Sequence, residues 1–266
     1  IEEEQIPQRI KDIDDRKYEF GENESWLSNR TCFLCVRDGN HIAYERKPQA
    51  NTNYLRSYLL GFGMAMLAMQ RGMIALHCSA VAGPGGAILI AGESGAGKST
   101  LTSAFLQKGY EFLADDMVFV ETDDSQTAWV YPAFPYQKLC RDAALKLGYD
   151  LSELIYIDED KDKFLVPWKG DFSVERKKIA GLFFLLMHNV DQVDSKPVQG
   201  FDKMLVCADN LFLRKLLGKE RYAPRIGQKC LELAAAVPIE LIARPCGQNT
   251  QDRLVEKALD AIEKWG

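Results

Sequence analysis

The chain has 266 residues, 47% of them hydrophobic and 27% charged, which suits one large globular domain with a full core, or one domain with a small addition. A net charge of −5 and a pI near 5.4 offer no basic footprint for nucleic acid or an anionic membrane surface. The longest apolar run, Tyr58 to Met69, is shorter than the ~20 residues that cross a bilayer, so neither a nucleic-acid partner nor a membrane is expected. Seven cysteines, an odd number scattered through apolar stretches, read as free thiols in a reducing, cytoplasmic compartment. No secretory signal is visible. Because the chain begins at Ile1, a short upstream piece is expected to be missing.

Residues 1–50 are expected to form a small N-terminal antiparallel β region, separate from residues 51–266. Short alternating runs flank Asp38-Gly39, a hairpin signal. Cys32-Phe-Leu-Cys35 falls on one of these runs, where alternation sends the two thiols to opposite faces and argues against a metal or redox pair. Asn51-Thr52 predicts a helix N-cap, followed by an apolar, enclosed helix from Tyr54 to Arg71 that Gly72 ends.

Met73 to Ala82 and Ala87 to Ala91 flank a Gly/Pro turn and predict a hairpin. If the turn is symmetric, Ala82 pairs with Ala87 and His77 stands opposite Gly92. The second strand leads into Gly92-Glu93-Ser94-Gly95-Ala96-Gly97-Lys98-Ser99-Thr100, which matches G-x-x-x-x-G-K-[ST]. A strand before this motif and a helix after it (to Lys108) supply the context it needs. Its backbone N–H groups and the helix N-terminus suit a phosphate chain, Lys98 reaches the β/γ-phosphates, and the Ser99 hydroxyl ligates Mg²⁺. These nine residues are the candidate nucleotide site, with ATP and Mg²⁺ the expected cofactors.

Gly109 breaks the helix, and Tyr110 to Asp116 predicts a strand. A strand–helix–strand crossover returns Asp115 and Asp116 to the same end of the sheet as the loop. Downstream, the pattern predicts a strand and turn from Trp129 to Leu139, and helices from Arg141 to Tyr149 and from Ser152 to Ile157. Strands follow from Lys161 to Trp168 and from Ile179 to His188. Helices are predicted from Lys203 to Leu217 and from Gly227 to Ala236, then a strand from Pro238 to Arg244. Asn249 or Thr250 caps a last amphipathic helix.

Phosphoryl transfer needs charge neutralisation, a metal clamp and a group that takes the acceptor's proton. Ser99 with one acid of the Asp115-Asp116 pair supplies the clamp, the other acid supplies the base, and His77 orients it. Lys138, Arg141, Lys163, Lys169, Arg176 and Arg244 are possible phosphate or carboxylate partners, each more ordinary as a surface charge. His41 and His188 read as structural.

Leu76-His77-Cys-Ser-Ala-Val81, the Gly92–Thr100 loop and Gly109-Tyr-Glu-Phe-Leu-Ala-Asp115-Asp116 together resemble the catalytic core of HPr kinase/phosphorylase, clearly over residues 54–120. The resemblance implies an α/β P-loop mixed sheet of the HPr kinase / phosphoenolpyruvate carboxykinase type. It implies Asp115 as general base, Asp116 with Ser99 as metal contacts, Lys98 and His77 in the catalytic set, and a homo-oligomer. Three departures stand out. Residues 1–50 are too short for that family's N-terminal domain, Thr100 replaces a common acidic residue, and its second glycine-containing signature has no counterpart. The organisation is closer to shorter HPr-kinase-like proteins, some of which resemble precursor-peptide kinases of lasso peptide clusters. The expected activity is therefore ATP-dependent transfer of the γ-phosphoryl group to a serine hydroxyl of a peptide or small protein. The alternatives are a nucleotide-binding regulatory module without transfer and a small-metabolite kinase.

Overall fold

The structure is a computed structural model that describes all residues but 14–16, 49, 94, 147, 159–161, 171, 173, 249 and 266, and the side chains of all of these but 146 and 158. Ser94, Asn249 and Lys161 of the sequence reading therefore lie outside the described residues. The chain is mixed α/β and divides into two compact units.

The first unit comprises Ile1–Ala75, Lys138–Val166 and Lys215–Gly218. Its N-terminal part is a five-stranded sheet. Tyr18–Phe20, Glu24–Ser28, Cys32–Arg37 and His41–Arg46 run antiparallel in succession, and Glu2–Glu3 adds in parallel to the last of them. Asp38 and Gly39, both at positive φ, make the hairpin turn. The Cys35 side chain packs with Ile6, Ile10, Trp26 and Ala43. Burial pushes the Cys32 and Cys35 thiols up to about 11, so neither is a ready metal ligand or redox nucleophile.

Asn51 caps the following helix, its side chain accepting from the backbone N–H of Asn53 at 2.8 Å and of Tyr54 at 3.2 Å. The expected uninterrupted helix contains a π-helical turn, Leu59–Gly63, between Thr52–Tyr58 and Met64–Gln70. Gly63 lies against Ile42 and Leu34 of the sheet, where a side chain would meet Ile42 at 3.4 Å. A second correction concerns Ser152 to Ile157. A 3-10 turn, Leu151–Glu153, gives way to a strand, Ile155–Asp158, antiparallel to Lys163–Pro167. The β-branched and aromatic run Ile155-Tyr156-Ile157 gains more from pairing, with the Tyr156 and Phe164 rings 5.1 Å apart, than its turn of helix would gain in isolation.

The second unit comprises Leu76–Gln137, Pro167–Arg214 and Lys219–Gly266. Its sheet is mixed. The loop strand, Gly86–Gly92, lies between Lys177–His188, parallel to it, and Cys78–Gly83, antiparallel. The acid strand, Glu111–Ala114, pairs antiparallel on the far side of Cys78–Gly83. Ile239–Pro245 runs parallel to the other edge of Lys177–His188. The loop helix, Lys98–Gln107, and the last helix, Gln251–Trp265, bury Leu101, Phe105, Leu254, Ala258 and Ala261 against Ile88, Ile90, Phe183 and Ile242 of the sheet. The helix expected over Lys203 to Leu217 is interrupted. Phe201–Asp209 stops, a separate helix resumes at Arg214, and the Asn210 carbonyl accepts from the His77 N–H at 2.7 Å. Among the described residues, no helix is long and apolar enough to cross a membrane.

Candidate active site

The topology gathers the candidate residues at one end of the second unit's sheet. The parallel strands Gly86–Gly92, Lys177–His188 and Ile239–Pro245 all finish there, and so does Glu111–Ala114, because two antiparallel pairings leave it running with the loop strand. The carboxyl ends of such strands are where open α/β sheets place their ligands.

The hairpin register is the one expected from its turn. Ala82 pairs with Ala87, and the pairing continues in step to Cys78 opposite Ala91. His77 precedes the last pair, beside Gly92. Across the other edge Ala80 pairs with Ala114, which carries Asp115 to the level of Ser79. The Ser79 hydroxyl donates to Asp115 Oδ1 at 2.7 Å.

Asp116 follows at φ 69, with the Met117 N–H donating back to the Asp115 carbonyl at 2.9 Å. That is a γ-turn of the rarer, strained hand. It aims the Asp116 carbonyl at His77, whose Nδ1 lies 2.9 Å away. A carbonyl oxygen only accepts, so Nδ1 carries the proton in this bond. The Asp116 carboxylate is 3.7 Å from the same nitrogen, and the His77 ring is tilted against Phe212 at 6.2 Å between centroids.

The loop itself holds Gly92, Gly95 and Gly97 at φ 140, 83 and 110. Gly92 is required by packing as well as by its dihedral: a Cβ there would sit 2.3 Å from the Leu185 carbonyl oxygen of the neighbouring strand. Glu93 and Gly95 are exposed, and Ala96 is buried in the core, so Ala96 offers a ligand only its backbone. Lys98 opens the helix, and its Nζ reaches back to the carbonyls of Gly92 at 2.7 Å and Glu93 at 3.0 Å. This places the ammonium across the mouth of the loop. Ser99 is exposed and Thr100 half-buried in the first helical turn. Cys78 is fully enclosed: burial pushes its thiol far up, with the charges of Lys98 and Asp115 both acting on it.

Two residues gain weight that the sequence did not give them. Ser79 stands within Leu76–Val81, and because His77 lies at a bend just before the strand, strand alternation carries no signal of its part. Arg244 is one of the six possible phosphate or carboxylate partners. It is the penultimate residue of the strand Ile239–Pro245, opposite Met187, and its guanidinium lies 3.4 Å from the Gly95 carbonyl and 3.5 Å from Thr250 Oγ1. Its buried Nε has no hydrogen-bond partner among the described residues. Of the remaining cations, Arg141 is forked onto Asp162 at 2.6 and 2.9 Å, and Arg176 lies over the Trp129 ring and beside Glu121.

The donors fit the groups the motif implies. An N-terminus of a ten-residue helix with glycines at positive φ suits a phosphate chain. A serine hydroxyl and a carboxylate are the hard oxygen donors that Mg²⁺ takes. No family model matches the chain, and no curated protein does. Among solved structures, the chain is similar to the Hpr(Ser) kinase/phosphatase from Coxiella burnetii at 12% identity and a TM-score of 0.37, over 71% of this chain and 97% of that one.

Proposed function

We propose that the chain is an ATP-dependent kinase of the P-loop type, with residues 51–266 as its catalytic region, and that it phosphorylates a serine hydroxyl of a peptide or small protein. The observation that supports this reading is an anchored acidic pair at the same sheet end as the loop that carries Lys98. A pure nucleotide sensor has no use for a carboxylate held by a dedicated hydroxyl donor 2.7 Å away. The serine acceptor, the affinity with precursor-peptide kinases, a homo-oligomer and a cytoplasmic location rest on the sequence resemblance and on cysteine usage.

In this reading the loop N–H groups and Lys98 hold the phosphates and set the γ-phosphoryl group in line. Asp115 takes the proton of the incoming hydroxyl as its oxygen bonds to the γ-phosphorus; the bond to the bridging oxygen breaks and ADP leaves. Ser99 and Asp116 would hold Mg²⁺, which offsets the phosphate charge when bound. His77 keeps Asp116 in its strained turn. The test is Asp115→Asn. We expect phosphate transfer to fall by about two to four orders of magnitude while Mg·ATP binding by calorimetry is retained. Near-full transfer by this variant refutes the base assignment, and tight ATP binding with no transfer by the wild type favours the regulatory module.

A further inference from the structure

The carboxylate of a general base must present one oxygen to the acceptor within hydrogen-bond reach, about 2.6–3.2 Å, in the right plane. Asp115 follows the last residue of a strand and leads into a γ-turn, so backbone pairing alone does not set its side-chain torsions. Ser79 holds one of its oxygens. It lies on the strand beside Asp115, is 1% exposed, and donates to Oδ1 at 2.7 Å. A buried hydroxyl with this partner resists rotation of the carboxylate, because turning away would leave the hydroxyl unsatisfied.

We propose that Ser79 is a positioning residue for phosphoryl transfer: by holding Oδ1 it aims the Asp115 carboxylate at the acceptor hydroxyl. The proposal rests on the kinase reading above. Its neighbours support the division of labour. At the bend just before that strand His77 holds the backbone of Asp116, so one short segment orients both acids. The Ser79 hydroxyl is committed to Asp115, while Lys98 is held by the carbonyls of Gly92 and Glu93, and loss of the hydroxyl should leave nucleotide binding alone.

The experiment measures turnover of Mg·[γ-³²P]ATP by the full chain, with serine-terminated synthetic peptides and water as acceptors, for the wild type and for Ser79→Ala, Ser79→Thr and Asp115→Asn. Thermal midpoints are measured alongside. A misplacement of about 1 Å costs about a hundredfold, so Ser79→Ala is expected to lose ten- to a hundredfold in kcat. KM for ATP should stay within about twofold and the midpoint should be little changed. Ser79→Thr, which keeps the hydroxyl, should recover most of the rate. Full turnover by Ser79→Ala overturns the proposal. So does an equal loss in the Ala and Thr variants, or a loss that appears in KM or in the thermal midpoint instead of kcat. If Asp115→Asn keeps its rate, or the wild type transfers phosphate to no acceptor, the kinase reading itself fails. Those outcomes differ from an inactive Asp115→Asn beside a fully active Ser79→Ala, which removes Ser79 alone.

Discussion

Gly92 and Gly95 both belong to the candidate phosphate loop and look alike in sequence, yet replacing each by alanine should have very different consequences. At Gly92 the backbone holds φ 140, a conformation costing an L-residue about 1–3 kcal/mol. The new Cβ would also stand 2.3 Å from the Leu185 carbonyl oxygen and 3.0 Å from the Leu185 nitrogen. Both are backbone atoms of a central strand, so the loop strand must move away from it and weaken the pairing of Gly92 with Leu185; overpacking of this kind costs a further ~1–3 kcal/mol. The expected destabilisation is about 4 kcal/mol, or a fall of about 8–16 °C in Tm. At Gly95 the φ of 83 carries the left-handed penalty, but the Cβ meets only the flexible Met187 Cε, at 3.3 Å. The cost there is about 1–2 kcal/mol. Urea unfolding of the two variants, followed by far-UV circular dichroism, measures both. If Gly92→Ala is no less stable than Gly95→Ala, the close approach of Leu185 is not what demands glycine, and the packing argument is wrong.

Arg244→Met removes the guanidinium that lies against the Gly95 carbonyl and should loosen the loop, raising Kd for Mg·ATP by about tenfold, the worth of one charge-assisted hydrogen bond. An unchanged Kd by calorimetry would show that the loop holds its shape without it. Native alkylation with iodoacetamide at pH 8 should label Cys140 and Cys246, which are exposed, ahead of the five buried cysteines. Cys32 and Cys35, with pKa values pushed up to about 11, hold only about a thousandth of their thiol as thiolate at that pH. Peptide mapping that found either of them labelled as fast as Cys140 would contradict their burial.

Much of the site was legible in one dimension because it depends on short-range geometry. The candidate phosphate loop is contiguous, the hairpin register follows from the length of one turn, and a single crossover carries Asp115 and Asp116 back to the loop. The errors fell where local preference is weak or contested. Ser152 to Ile157 has a helix-compatible start, but a partner strand is available nearby in space. The helix over Thr52 to Gln70 takes a wider turn where glycine meets the sheet. The interruption after Asp209 coincides with the bond from His77 to the Asn210 carbonyl, a contact with no signal in the local pattern.

By itself the sequence determined the strand–loop–helix, the level of His77 beside Gly92, and the return of the two acids, since each is a matter of counting residues along regular elements. Only the tertiary structure decided that Gly92 is glycine for the sake of Leu185, that Ser79 holds Asp115, and that Arg244 lies against the loop rather than in solvent. Those three facts depend on which strand neighbours which, and a pairing between distant segments is set by the burial of the whole sheet, not by any residue's own preference.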